Sequence, residues 1–276
     1  MIKDLAVNLS VGTGRDAAGP YAISVAEAFG AHVAGIAFSY EPVIPATLMG
    51  TVPVSFVESQ REENDKAAND ACAKFDEAAR RAGVSWESRA LSASLAGSAD
   101  RFATIARRFD LAVVGQVAPD RADPGELIVE NALFSSGRPV LVVPYIQKAG
   151  LTLDRVMVCW DASRNAARAI ADAMPFLKRA KAVDVVIVAS ERIKSDEIPG
   201  ADIGQHLARH DLKVEVRRIV SPDTDVASTI LSHAADTSAD FIVMGGYGHS
   251  RLREFILGGA TRGMLAAMTL PTLMSH

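Results

Sequence analysis

The sequence repeats itself, because a series of short segments in the first half returns in the same order in the second. Asp-Leu-Ala-Val-Val-Gly from Asp110 returns as Asp-Phe-Ile-Val-Met-Gly from Asp240, and residues 137–144 correspond to residues 269–276. The runs from Asp110 and Asp240 are short, apolar and end in glycine, which is typical of a parallel strand buried on both faces. This repeat predicts one domain copied in tandem.

Helical patterns lie between the strand-like runs. Residues 67–82 and 166–177 are rich in alanine and have apolar residues three and four apart, which predicts amphipathic helices. The strands of the first half are predicted at residues 3–9, 32–38, 84–90, 111–115 and 139–143. Right-handed crossovers assemble such an alternation into a parallel sheet with helices on both faces. We therefore predict an α/β fold of two tandem open-sheet domains, residues 1–148 and 151–276, each with a five-stranded parallel sheet flanked by helices.

The composition excludes several classes of protein. The apolar fraction of 49% and charged fraction of 22% are those of an ordinary soluble globular protein. A net charge of −4 gives no basic field for nucleic acid, and no apolar run approaches the roughly 20 residues that a membrane span needs. The amino terminus lacks the layout of a signal peptide, so we expect a cytoplasmic protein. Cys72 and Cys159 have neither metal nor disulfide spacing and are predicted to be reduced core residues.

A glycine-rich loop follows a predicted strand of the second half. The strand ends at Met244, the loop opens with Gly245 and Gly248, and the pair Gly258 and Gly259 precedes a predicted helix. Phosphate binding needs bare backbone amides that approach an anion closely, beside a helix amino terminus that adds partial positive charge. Glycines at these places remove the side chains that would block the anion. The pattern predicts a phosphate-binding loop.

The spacing of these glycines resembles that of the universal stress protein family. Members that bind ATP carry glycine, two residues, glycine, nine residues, glycine, and then serine or threonine, and Gly245, Gly248 and Gly258 stand at that spacing. Gly259 occupies the hydroxyl position, so one phosphate contact is lost while the backbone amide is kept. Whether Thr261, two residues further on, compensates is left open. The resemblance implies an adenine nucleotide alpha hydrolase-like fold and ATP as ligand.

The same resemblance implies further site residues. An aspartate after the first strand of the family's domain faces the ribose and phosphates or their metal, and Asp161 matches it, so Mg²⁺ is an implied cofactor. Ala189 stands where the family's backbone meets adenine, and Met244 closes the strand before the loop. His249 lies inside the loop, where phosphate contact and plain solvent exposure are equally compatible with the sequence.

The first half lacks this motif. Ala118 replaces the second glycine, Glu126 stands at the position of Gly258, and Asn8 is aligned with Asp161. A carboxylate at Glu126 would repel a triphosphate, and an asparagine removes the metal-directed carboxylate. We expect the first copy to be a scaffold or regulatory half.

Other features leave alternatives open. Residues 41–57 form a proline-punctuated apolar insertion that is either a lid or contact surface, or a loop folded over its own domain. His206 and His210 lie four apart on a predicted helix and could hold a metal, but no third ligand is nearby, which favours a solvated helix face. Ser163 is expected to be the N-cap of the helix that follows it.

The family resemblance implies a tandem universal stress protein, a cytoplasmic adenine-nucleotide binder that senses or regulates a stress response through an unknown protein partner. The alternatives are a nucleotide-free interaction scaffold and a slow ATP hydrolase. No serine, histidine and acid arrangement indicates a nucleophile, so catalysis is not expected. Family members pair through their last strands, so the segments from Pro139 and Pro271 are expected to join the two halves as an intrachain pseudo-dimer. A homodimer of chains is left open.

Overall fold

The computed structural model describes residues 1–12, 14–42, 53–118, 125–189, 200–220, 225–246 and 259–276. The chain folds into two compact units, which are Ile2–Arg138 and Pro139–His276. Both units alternate strands with helices, and the predicted α/β class is confirmed. Within the described residues, none of the helices is both long and apolar enough to cross a membrane.

The described elements of the unit Ile2–Arg138 are β1 (Asp4–Asn8), α1 (Ala18–Phe29), β2 (His32–Tyr40), α2 (Val54–Ala82), β3 (Ser85–Ala93), α3 (Leu95–Ala106), β4 (Leu111–Gly115) and α4 (Gly125–Ser135). The four strands among these described residues are parallel and lie in the order β3-β2-β1-β4. Of the 41–57 insertion, residues 54–57 form the first turn of α2, with Val54 and Phe56 exposed. Residues 43–52 lie outside the described residues, so the role of the insertion stays open.

The described elements of the unit Pro139–His276 are β5 (Val140–Val143), β6 (Arg155–Cys159), α5 (Arg164–Leu177), β7 (Ala182–Ala189), α6 (Ala201–Ala208), β8 (Val214–Val220), α7 (Val226–Asp236), β9 (Phe241–Gly245), α8 (Ala260–Ala267) and β10 (Thr272–Ser275). In the part of this unit that the structure describes, six strands lie in the order β5-β10-β9-β6-β7-β8. Five of these strands are parallel, and β5 pairs antiparallel with β10, with Val142 opposite Thr272.

The last strand of the first sequence repeat therefore packs in the second compact unit. The segments after Pro139 and Pro271 lie side by side as β5 and β10, and this pairing covers what would otherwise be an open sheet edge. Repeat boundaries in sequence and compact units in space are different divisions, because a terminal strand can pair outside its own repeat. The predicted boundaries, 1–148 and 151–276, stay a prediction, as does the pseudo-dimer.

The central strands are buried because they are covered on both faces. The first four residues of β4 and of β9 are almost wholly inaccessible, as the unbroken apolar runs predicted. Helix α5 contributes Ala169, Ala173 and Phe176 to the core. The rings of Phe176 and Phe241 stack at 5.1 Å between centroids, so α5 packs directly on β9.

The repeat extends to individual hydrogen bonds. The Asp110 carboxylate accepts from two consecutive backbone N–H groups at the start of β1, at 2.8 and 3.2 Å. The Asp240 carboxylate accepts from the corresponding pair at the start of β6, at 2.7 and 3.3 Å. These two aspartates are the first residues of the matching sequence segments, so the repeat found in the sequence is also a repeat of local structure.

Candidate functional site

The predicted site residues of the second half lie at the carboxyl ends of three neighbouring strands. Met244 and Gly245 are the last two residues of β9, and Ala189 is the last residue of β7. Between them lies β6, and Asp161 follows two residues after its end. Because β7 and β9 flank β6 on opposite sides, this is the switch point of strand order, where open α/β sheets bind ligands.

Asp161 opens the turn that leads from β6 into α5. Its side chain is exposed, and Oδ1 accepts a hydrogen bond from the Ser163 backbone N–H at 2.9 Å. Ala162 between them has a left-handed backbone with φ of 59°. The Ser163 hydroxyl accepts from the Ala166 N–H at 3.1 Å, so the predicted N-cap is confirmed. The turn places a carboxylate beside the amino terminus of a 14-residue helix.

Gly245 lies against that same helix amino terminus. A Cβ on Gly245 would come within 2.6 Å of the Ala166 backbone nitrogen and 2.8 Å of the Asn165 carbonyl carbon. Both neighbours are backbone atoms of α5, which cannot rotate away as a side chain could. Glycine is therefore required here by the close approach of strand and helix, and the end of β9 directly adjoins the positive end of the α5 dipole.

Asn165 holds the backbone that leaves β9. Its buried side chain donates from Nδ2 to the Gly246 carbonyl oxygen at 2.6 Å. The Gly246 N–H in turn donates to the Ser275 carbonyl at 2.8 Å, and His276 Nδ1 lies 3.1 Å from the Gly246 oxygen. Asn165 was not predicted from the sequence. A polar residue within an otherwise apolar helix face was the available signal, because a buried amide must find partners.

We expect Asn165→Ala to lower the free energy of unfolding by about 1–2 kcal/mol, because it removes a buried hydrogen bond and leaves the Gly246 carbonyl with less compensation. Urea denaturation of wild type and variant measures this difference. Asn131→Ala is the control, since that side chain donates to a helix carbonyl of its own turn in an exposed setting. Equal losses for the two variants would contradict the structural role assigned to Asn165.

The remaining loop residues divide into two groups. Gly248, His249 and Gly258 lie outside the described residues. Gly259 is the N-cap of α8 with an extended backbone, φ −69° and ψ 151°, and glycine supplies no capping side chain there. Thr261 is buried with 5% of its surface exposed, which does not favour its hydroxyl as a substitute for the missing serine or threonine.

A magnesium ion would fit Asp161 only with ligands from elsewhere. Among the residues that the structure describes, no three histidine, cysteine, aspartate or glutamate side chains converge on one point. Mg²⁺ commonly takes one or two protein carboxylates and completes its shell with phosphate oxygens and water. Asp161 is exposed and adjoins the α5 amino terminus, so a phosphate-bound ion is compatible with this position.

Cys159, the last residue of β6, is not an activated nucleophile. Burial raises the pKa of its thiol to about 12, and the neighbouring Asp161 carboxylate acts in the same direction. Burial also raises the pKa of the Cys72 thiol. Both cysteines are free, and both thiols remain protonated at neutral pH. Cys72 is buried as predicted, whereas Cys159 is partly exposed.

The first copy differs from the sequence prediction at one position. The Leu9 backbone N–H donates to the Ile36 carbonyl of β2, and the Trp160 N–H donates in the same way to the Val186 carbonyl of β7. Leu9 is therefore equivalent to Trp160, and Ser10, not Asn8, stands at the position of Asp161. The alignment of Asn8 with Asp161 was wrong because composition alone did not define the strand register. Ser10 is not acidic either, so the first copy still has no carboxylate at the position of Asp161.

The end of β2 in the first copy is occupied by side chains of α2. The buried Ser39 hydroxyl bonds to the Asp65 carboxylate, and Asn64 Nδ2 donates to the Tyr40 carbonyl at 2.7 Å. In the register of the sheets, Ser39 is the counterpart of Ala189. Side chains of α2 thus form hydrogen bonds with the backbone and with a side chain at the end of β2. This position corresponds to the end of β7 in the second copy.

The comparisons with known proteins agree with this fold. Residues 152–276 match the model of the universal stress protein family. A universal stress protein of Synechocystis sp., Slr1230, is 25% identical over 151 residues, which are 52% of this chain and 49% of that protein. The chain thus spans about half the length of this curated relative.

Two solved structures cover nearly all of the chain. A universal stress protein from Archaeoglobus fulgidus DSM 4304 superposes with a TM-score of 0.70 and 14% identity over 99% of this chain and 95% of its own. A functionally unknown protein, PA1789, from Pseudomonas aeruginosa PAO1 superposes with a TM-score of 0.62 and 15% identity. The superposition covers 99% of this chain and 92% of that protein. At these identities the structures establish the fold alone. In sequence, residues 152–276 of the chain are similar to the universal stress protein family.

Proposed function

We propose that the unit Pro139–His276 binds an adenine nucleotide, with ATP as the ligand that its glycine loop suits. The observation that carries the proposal is that Gly245, Ala189 and the exposed Asp161 lie at or just after the carboxyl ends of neighbouring strands, at the switch point of strand order and beside the α5 amino terminus. Open α/β sheets bind ligands at this place, and a helix amino terminus adds partial positive charge that suits an anion. In this proposal the backbone amides of Gly245, Gly248, Gly258 and Gly259 hold the phosphates.

The other site residues take complementary roles. Asp161 faces the ribose or a phosphate-bound Mg²⁺, because it is the exposed carboxylate that follows β6. The backbone at Ala189 borders the base, because β7 ends beside β6. Met244 supports the loop from within the core, where it is 4% exposed. His249, inside the loop, is available to contact a phosphate.

The first copy has a supporting or regulatory role in this proposal. The counterpart of Gly245 in the first copy is Gly115. A Cβ added to Gly115 would lie 3.8 Å from the nearest atom, the Ala18 Cβ of α1, so this strand end is not tightly packed against its helix. Its counterpart of Asp161 is a serine, and α2 side chains occupy the end of β2. The protein would act in the cytoplasm as a nucleotide-dependent stress sensor whose ligand state alters contacts with a protein partner.

The experiment is calorimetric titration of the full chain with ATP and Mg²⁺, repeated on Gly248→Glu. We expect saturable binding to wild type and a loss of more than about tenfold in affinity for the variant, because a carboxylate opposite phosphates costs several kcal/mol. Ala118→Glu is the matched control, since Ala118 is the counterpart of Gly248 in the first copy. We expect it to bind ATP as wild type does.

Each result separates the candidate functions. If titration of the wild-type chain with ATP and Mg²⁺ gave no heat of binding, nucleotide binding would be overturned. The nucleotide-free interaction scaffold would then be the remaining candidate function. A loss of affinity in Ala118→Glu equal to that in Gly248→Glu would move the site to the first copy. We also propose that binding occurs without turnover. Formation of ADP by wild type and not by Asp161→Ala would contradict this and support the slow hydrolase.

A further inference from the structure

Strand β8 is the last strand of the sheet in the unit Pro139–His276, within the residues that the structure describes. It pairs along one side with β7, and its other main contact is with α6. A Cβ added to Gly200, the N-cap of α6, would lie 2.4 Å from Ile187 Cδ1 of β7 and 3.0 Å from Val216 Cγ1 of β8. Helix α6 therefore lies over one face of both strands and leaves the outer edge of β8 open.

The outer edge of β8 carries backbone groups that can pair with a further strand. The Val183 N–H of β7 donates to the Lys213 carbonyl at 3.3 Å, and Val183 lies opposite Val214. In a parallel pair, alternate residues direct both their N–H and their C=O groups toward the same neighbouring strand. The backbone groups of Val214, Val216 and Arg218 therefore point away from β7. An exposed edge of this kind is a template for another strand.

The side chains of β8 determine which strand this edge accepts. Glu215 and Arg217 lie on one face of the strand, and their exposed side chains form an ion pair at 2.8 Å. Val216 lies between them and is 37% exposed, so an apolar side chain stands at the centre of the edge. Charges usually protect an edge strand from pairing. Opposite charges two residues apart are different, because they complement the same strand turned end for end.

The β8 strand of a second chain fits this edge in one antiparallel register. When Val216 lies opposite Val216 of the second chain, Glu215 lies opposite Arg217 on both sides of the two-fold axis. Val214 then lies opposite Arg218, and the outward backbone groups exchange hydrogen bonds in pairs. The Glu215–Arg217 pairs occupy the closer positions, with Cα atoms about 4.5 Å apart. A register centred on Glu215 or on Arg217 would place like charges opposite each other, which is destabilising.

We propose that two chains associate through their β8 strands, which pair antiparallel about a two-fold axis and join two sheets into one. A closed two-fold contact uses the same surface on both chains, so self-complementary charge is the property that it requires. Strand β3, the last strand of the sheet in the unit Ile2–Arg138, is the comparison. Its Glu87 and Arg89 also form an ion pair, at 2.9 Å, but Ser88 stands between them where β8 has Val216. The apolar centre favours β8. The inference is independent of nucleotide binding.

The test is sedimentation velocity of the full chain between about 1 and 300 µM. A strand edge of seven residues is smaller than the interface of a stable complex, so we expect wild type to pass from monomer to dimer in the micromolar range. Glu215→Arg and Arg217→Glu each place like charges opposite each other and should weaken the association by about tenfold or more. Glu87→Arg makes the same change on β3 and is the matched control, which should associate as wild type does.

A mixture of the two β8 variants tests the register directly. Between one Glu215→Arg chain and one Arg217→Glu chain, both close pairs again join opposite charges, so the mixture should associate although each variant alone is monomeric. The proposal is overturned by a wild type that is monomeric throughout, by wild-type association of either variant alone, or by a mixture that stays monomeric. An equal loss in Glu87→Arg would assign the interface to β3 and overturn it as well. Far-UV circular dichroism of each variant verifies its fold.

Discussion

Gly245→Ala is expected to lower the free energy of unfolding by about 3 kcal/mol, at the upper end of the usual range for an overpacked site. The added methyl would lie 2.6 Å from the Ala166 backbone nitrogen and 2.8 Å from the Asn165 carbonyl carbon. Relief requires movement of the α5 amino terminus, because no flexible side chain can yield. Urea denaturation followed by Trp160 fluorescence in the Trp86→Phe background measures the loss, and the same displacement should weaken ATP binding.

The counterpart in the first copy is the control for this prediction. Gly115→Ala adds the same methyl at the end of β4, where the nearest atoms are the Ala18 Cβ at 3.8 Å and the Ser10 hydroxyl at 4.0 Å. These are ordinary contacts, so the expected change is within about 0.5 kcal/mol. Two variants with equal losses would show that glycine is needed at both strand ends for backbone reasons, and would contradict the packing argument for Gly245.

Phe176→Ala is expected to have a still larger effect, with a loss of about 3–5 kcal/mol in the free energy of unfolding. Both Phe176 and Phe241 are fully buried, and their rings stack at 5.1 Å with an angle of 22° between planes. Removing one ring leaves a cavity between α5 and β9 and removes the stacking contact. Because β9 leads into the glycine loop, we also expect weaker nucleotide binding. Chemical denaturation and calorimetry of the same preparation measure the two effects.

Phe176→Leu separates volume from aromatic contact. Leucine retains most of the buried apolar surface, so its loss should be clearly smaller than that of alanine. A double-mutant cycle with Phe241→Leu isolates the ring interaction, for which about 0.5–1.5 kcal/mol is expected. If Phe176→Ala cost less than about 1 kcal/mol, well below the range for a buried phenylalanine, the contact between α5 and β9 would not contribute to stability as described.

Much of the fold was predictable because the strands are short, apolar and repeated. The predicted run 111–115 coincides with β4, and the predicted first strand contains β1. A strand covered on both faces must be apolar throughout, so its sequence carries the signal directly. The aspartates at 110 and 240 were matched for the same reason, since each precedes such a run and holds the neighbouring strand by the same pair of hydrogen bonds.

The site was only partly predictable. The sequence correctly placed Gly245, Ala189 and Asp161 at or just after the ends of strands. Glycine and aspartate are visible in the sequence because they interrupt apolar runs. Asn165 was not found, since its contact with the Gly246 carbonyl depends on how α5 packs against the end of β9. The misalignment of Asn8 arose where the loops before α1 and α5 differ, and a sequence pattern does not define the hydrogen-bond register across such a difference.

The amino-acid sequence alone indicated that one α/β pattern occurs twice, and it predicted a phosphate-binding glycine loop in the second copy only. Residue types were sufficient for both predictions. A strand that is buried on both faces consists of apolar residues, and a loop whose backbone is not covered by side chains contains glycines. The tertiary structure decided that β5 pairs with β10 and that Gly245 packs against the backbone of α5. These features depend on contacts between residues far apart in the chain, and such contacts exist only after the helices and strands have packed.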